Sequence, residues 1–202
     1  MAAEAAKYLK PCVLELGGKA PAVVSNYNMI RQMPTELQDG QVLNDADIEE
    51  ASKAIIFGAM ANSGQVCMST ERVIVQREAS EALISAVSAL CKSIKAGDPT
   101  VDPSVKLTAL FSAQSAENVL GLIQDAKDSG AGVLLGDCKR DDAIIQPHIV
   151  TGVKPGMKIW DRETFGPGMH CALLVTFSCQ LIYHACQLLW LQWWILSIKR
   201  SS

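Results

Sequence analysis

Short apolar runs alternate along this chain with stretches whose apolar residues return every three or four positions. That alternation restricts the fold more than any other feature. Residues 72–76 read as a strand around Val73-Ile74-Val75. Residues 78–95 then place Leu83, Val87, Leu90 and Ile94 on one face of a helix. A further helix is predicted over 112–129, where Ser129-Gly130 supplies a glycine just past the end. Val133-Leu134-Leu135 and Ile144-Ile145 follow as strands. Upstream, Ala22-Val23-Val24 is a short strand and Asp45 is a good N-cap for a helix carrying Ile48, Ala51, Ile55 and Gly58 on one face. At the start, residues 2–10 read as an Ala-rich helix stopped by Pro11, and Cys12 to Leu16 as a strand. Strands separated by helices of this length predict an α/β fold, with layered helices on a mainly parallel sheet.

With 202 residues the chain is long enough to bury one sizeable core. A formal charge of −3 gives no reason to expect nucleic acid or an anionic membrane as partner. The seven cysteines are odd in number and lie at no Cys/His metal spacing, so free thiols and no metal site are expected. No leader pattern opens the sequence, which makes the cytoplasm the expected compartment.

Three segments carry chemistry. Leu14-Glu15-Leu16-Gly17-Gly18-Lys19 comes first, then Asn62-Ser63-Gly64-Gln65-Val66-Cys67, then Glu163-Thr164-Phe165-Gly166-Pro167. Cysteine suits nucleophilic attack because a thiolate is accessible near neutral pH. A lone cysteine between Val66 and Met68 is more often a small buried apolar residue, and Cys12, Cys91 and Cys138 are read that way. Taken together and in this order, the three segments resemble the signatures of the aldehyde dehydrogenase superfamily.

The resemblance implies oxidation of a small-molecule aldehyde to a carboxylic acid with NAD or NADP, by a family whose full-length members are homo-oligomers. It assigns Cys67 as the nucleophile and Glu15 as the general base that activates water against the thioester. Glu163, with Phe165 and Gly17, falls on the side that holds the nicotinamide ribose. Lys19 is expected to orient backbone and neighbouring carboxylates, and Asn62 and Gln65 to be structural. A CoA-acylating semialdehyde dehydrogenase is a rival, disfavoured because such enzymes can dispense with Glu15. A catalytically silent fragment or interaction protein is another, since the resemblance covers about residues 2–24 and 43–167 and the sequence holds no G-x-G-x-x-G.

The domain reading follows. Residues 1–16 match the end of a coenzyme-binding domain, and 17–168 a partial catalytic domain with an atypical insertion at 25–42. Without those 18 residues, Val24 would run into Leu43 and the Glu15 to Cys67 separation of 52 would become 34, as in the family. The segment reads either as an in-frame translated intron or as a surface loop with little to bury. Residues 164–198 contain no Asp, Glu, Lys or Arg, and 169–202 read as an apolar tail outside the family pattern. Out-of-frame or intronic translation explains that tail better than a membrane span over 171–198, because His184, Gln187 and Gln192 interrupt it.

Overall fold

In the computed structural model, residues 1–14, 16–24, 41–42 and 48–174 are described. Among the described residues, eight strands and five α-helices follow one another: α1 (Ala2–Ala6), β1 (Ala20–Val24), β2 (Gln41–Val42), α2 (Ile48–Met60), β3 (Thr70–Gln76), α3 (Arg77–Lys92), α4 (Ala113–Asp128), β4 (Gly132–Leu135), β5 (Arg140–Asp141), β6 (Ile144–Ile145), β7 (His148–Thr151), α5 (Lys158–Asp161) and β8 (Gly168–Leu174). Six strands form one sheet in the order β2-β1-β3-β8-β7-β4, and β5 and β6 form a small ribbon. All pairs of the large sheet are parallel except β4 with β7. The α/β class read from the sequence is therefore the observed one.

Alternation along the strands sends side chains to two cores. Val73, Val75, Ile149 and Met169 pack with Ile55, Leu83 and Val87 of α2 and α3. Ile74 and Val150 pack with Val119 and Ile123 of α4 and with Trp160 of α5. Each fully buried aliphatic side chain of this kind contributes roughly 1.5–3 kcal/mol. The sheet is thus covered on both faces, which is why its strands read as continuous apolar runs. Helix α4 starts at Ser112, whose hydroxyl accepts from the Ser115 N–H at 3.1 Å, and it is closed by Gly130 at φ +94°.

Four differences from the sequence reading have physical causes. The helix expected over 2–10 stops at Ala6, and Leu9 takes φ 52°; none of its residues is buried, so no packing supports further turns. Of the strand expected at 12–16, the described residues 12–14 and 16 pair with nothing, and Val13 and Leu16 are exposed; an extended segment without a neighbour has no ladder to join. Gln41 and Val42, placed at the end of the insertion 25–42, extend the sheet by pairing with Val23 and Val24 at the edge of β1. Residues 25–40 and 43–47 lie outside the described residues. The composition boundary at 168 falls at the start of β8, whose seven residues run between β3 and β7. Residues 175–202, most of the expected tail, lie outside the described residues. No helix among the described residues is long and apolar enough to cross a membrane.

Candidate active site

Cys67 stands in the connection between α2 and β3, and its aim is set by an unusual backbone. After α2, a 3-10 turn spans Ala61–Gly64, in which Asn62, Ser63 and Gly64 take φ of 51°, 57° and 73° in succession. Left-handed non-glycine residues cost on the order of 1–3 kcal/mol each and persist only where neighbours hold them. The neighbours are present. Ser63 Oγ donates to the Thr108 carbonyl at 2.9 Å and accepts from the Thr108 N–H at 3.0 Å. Gln65 Oε1 accepts from the Phe111 N–H at 2.8 Å, and the Ser69 N–H donates to the Val66 carbonyl at 2.8 Å. Asn62 and Gln65 are therefore structural, each bonding across the turn at 3.3 Å to the other's carbonyl. The result is an exposed Cys67 on a loop fixed at both ends. An apolar cavity of about 200 Å³, lined by Phe57, Val66, Met68 and Ala22 among others, backs this loop without including Cys67.

The three motifs meet at one residue, Gly18. Its N–H donates to Glu163 Oε1 at 3.0 Å, and a Cβ at this position would overlap the Cys67 carbonyl oxygen. Gly17, at φ +139°, would carry a Cβ into the Glu163 carboxylate. Only glycines allow the backbone to pass between cysteine loop and carboxylate at this distance. Burial pushes the Glu163 carboxyl above its ordinary range; the Gly18 N–H opposes that, the Glu71 charge adds to it and Lys19 counters it. Phe165, half exposed, turns the chain with φ 52°. Glu15 lies outside the described residues.

Beneath these groups is a buried polar network. Lys19 Nζ is paired with Glu71, and the two side chains are 5% and 4% exposed. Burial pulls the Lys19 ammonium below its ordinary range against the pull of Glu71. The Glu71 carboxylate also accepts from the N–H of Thr164 at 2.8 Å and of Phe165 at 3.3 Å. Arg72, fully buried, donates from Nε and Nη2 to the Lys19 carbonyl at 3.0 and 2.7 Å and lies over the Trp160 ring at 5.6 Å. The sequence reading gave Lys19 an orienting role and missed Glu71 and Arg72. Their signal was two opposite charges opening an apolar strand, where solvent exposure is not available.

An exposed thiol on a strained loop and a carboxylate held by a paired-glycine turn thus meet at Gly18, beside the parallel strands of an α/β sheet. The comparisons give the family. The aldehyde dehydrogenase family model matches residues 38–177, and the chain belongs to that family. It is 38% identical over 162 residues to the vanillin dehydrogenase of Pseudomonas fluorescens, covering 80% of this chain and 30% of that protein. The crystal structure of a salicylaldehyde dehydrogenase from Pseudomonas putida G7 complexed with salicylaldehyde superposes with a TM-score of 0.72 at 33% identity, covering 93% of this chain and 34% of that one. Lactaldehyde dehydrogenase from Escherichia coli superposes with a TM-score of 0.73 at 30% identity, over 93% and 35% of the two chains. The chain thus spans about a third of the length of the proteins it matches.

Proposed function

We propose that this chain carries the thiol and carboxylate half of an NAD(P)-dependent oxidation of an aldehyde to a carboxylic acid. The observation that supports it best is Gly18, whose N–H binds Glu163 while its α-carbon abuts the Cys67 carbonyl, so that three distant motifs share one residue. In this reading the Cys67 thiolate attacks the aldehyde carbon; a C–S bond forms and the carbonyl oxygen becomes an oxyanion. A nicotinamide coenzyme, when bound, would accept the hydride released as the former aldehyde C–H bond breaks, which leaves a thioester on Cys67. Glu15 removes a proton from water, which attacks that thioester; the C–S bond breaks, Cys67 leaves as thiolate and the acid is released. Glu163 is fit to hold ribose hydroxyls, since an ionised carboxylate offers two acceptor oxygens, one of which accepts the Gly18 N–H here. Gly17 keeps the approach to it open, and Phe165 borders it. The described cysteines 12, 67, 91 and 138 are all free thiols, which suits a reducing, cytoplasmic setting.

A second reading, a chain silent by itself, is favoured by the absence of a G-x-G-x-x-G phosphate turn from the 202 residues. Positioning of the two reactants supplies on the order of 7–11 kcal/mol of such a reaction. The purified chain, assayed with an aromatic aldehyde and NAD or NADP, is expected to form no reduced coenzyme. Joined behind a family coenzyme domain, with 25–42 deleted and a family sequence after Pro167, it should turn over, and Cys67→Ala should abolish that. Robust turnover by the unmodified chain would overturn the silent reading; no turnover by the repaired one would overturn the dehydrogenase reading.

A further inference from the structure

We propose that Glu71 is a positioning residue for Glu163, gripping the Lys19 side chain on one side and the Thr164 and Phe165 amides on the other side of the coenzyme-facing carboxylate; this rests on the dehydrogenase reading of Glu163. The residue that follows Gly18 is Lys19, and the residue that follows Glu163 is Thr164. Glu71 holds both: the Lys19 ammonium through one carboxylate oxygen, and the Thr164 N–H at 3.0 and 2.8 Å through both. It therefore clamps the pair immediately downstream of the hydrogen bond between Gly18 and Glu163 on each side. Its third partner, the Phe165 N–H, belongs to a residue in the left-handed region, the point where the chain reverses after Glu163. The other end of Lys19 is fixed as well, because Arg72 takes its carbonyl. Glu71 is 3% exposed and sits on β3 between β1 and β8, so its carboxylate is carried by the most constrained strand of the sheet. It touches neither Cys67 nor Glu163. Apart from the effect of its charge on the Glu163 carboxyl, its influence passes through the Thr164 and Phe165 amides and the Lys19 side chain that it holds.

The clamp is tested by amide hydrogen exchange on the full 202-residue chain, read by NMR, without coenzyme or aldehyde. In Glu71→Gln the charge-assisted bonds weaken, and the amides of Thr164, Phe165 and Gly18 are expected to exchange about tenfold faster or more. The amides of Val119 and Ile123 in α4 should keep their rates. Gly18 is the deciding residue, because its N–H bonds to Glu163 and not to Glu71. Acceleration of Thr164 and Phe165 with Gly18 unchanged would overturn the proposal, as would equal acceleration at every amide. If the variant does not fold, the wild-type chain decides. With increasing denaturant the three amides should open as one unit, and an independent opening of Gly18 would overturn the clamp. No readout involves turnover, so a negative result removes the role of Glu71 and leaves the dehydrogenase reading standing. Unreactive Cys67 with three coupled amides would do the reverse.

Discussion

Lys19→Met breaks the buried ion pair while keeping a long apolar stem in place. Removing one partner of such a pair costs about 3–5 kcal/mol, because the remaining charge is left buried without its counterion. Glu71 keeps the Thr164 and Phe165 amides as donors, which places the expected cost near the lower end, about 3 kcal/mol. With a urea slope near 2 kcal/mol/M, this moves the unfolding midpoint down by roughly 1.5 M. The assay is urea unfolding of the purified chain at pH 7.5, followed by circular dichroism. Lys19→Met combined with Glu71→Gln should cost less than the sum of the single changes, because the double variant leaves no buried charge unpaired at this point. A coupling of about 1–3 kcal/mol is expected for groups in direct contact. The reasoning is refuted if Lys19→Met lies within 1 kcal/mol of wild type, or if the single effects add.

Iodoacetamide at pH 8 should label Cys67 far ahead of Cys91, whose thiol is pushed up to about 11 by burial and holds roughly a thousandth part of thiolate at that pH; peptide mapping that finds equal rates would contradict the exposed, aimed position of Cys67. Gly18→Ala should cost roughly 1–3 kcal/mol and slow that labelling or make it erratic, since the atom in the way is a backbone carbonyl that cannot rotate aside; an unaltered melting curve and labelling rate would refute the contact. His148, fully buried, accepts the Cys138 N–H at 3.0 Å through Nε2 and bonds the Gln146 carbonyl at 2.7 Å through Nδ1, and burial lowers its pKa from the ordinary 6.5. The folded state therefore binds fewer protons than the unfolded one. The contribution is complete above pH 6.5 and declines as pH falls below it, by at most about 1.4 kcal/mol per unit. Urea midpoints between pH 7.5 and 5 should show this slope in wild type and lose it in His148→Gln; the same slope in both would refute it.

The parts of the molecule that were legible are those whose signal is local. Leu83 and Val87 mark the buried face of α3 by spacing alone, and Ser129-Gly130 marks the end of α4 by cap chemistry. Cys67, Gly17 and Glu163 were singled out by the residues around them. What was not legible depends on pairing. His148 to Thr151 follows Pro147 in a stretch with no clean alternation, and it becomes a strand because β8 and β4 lie on its two sides. Lys19 had an assigned task but no named partner; the register that sets Ala20 opposite Thr70 is what brings it to Glu71. Glu71 and Arg72 were missed because their burial follows from the interior position of β3, which no local pattern reveals.

The position of β8 bears on how the protein is made. It is the last described strand to leave the ribosome, yet it lies between β3 and β7, so it joins two half-sheets synthesised earlier. Until it arrives, β3 and β7 each present an unpaired edge, and the apolar core that Met169 helps to close remains open to water. Open parallel edges are templates for pairing with other chains, and contacts so distant in sequence form slowly. A nascent chain stalled before residue 168 therefore carries a well-formed set of helices and two sticky half-sheets, a state in which a chaperone has most to do. Joining the two half-sheets waits on the last described strand, so a weakened β8 is expected to lower the folding yield as well as the stability.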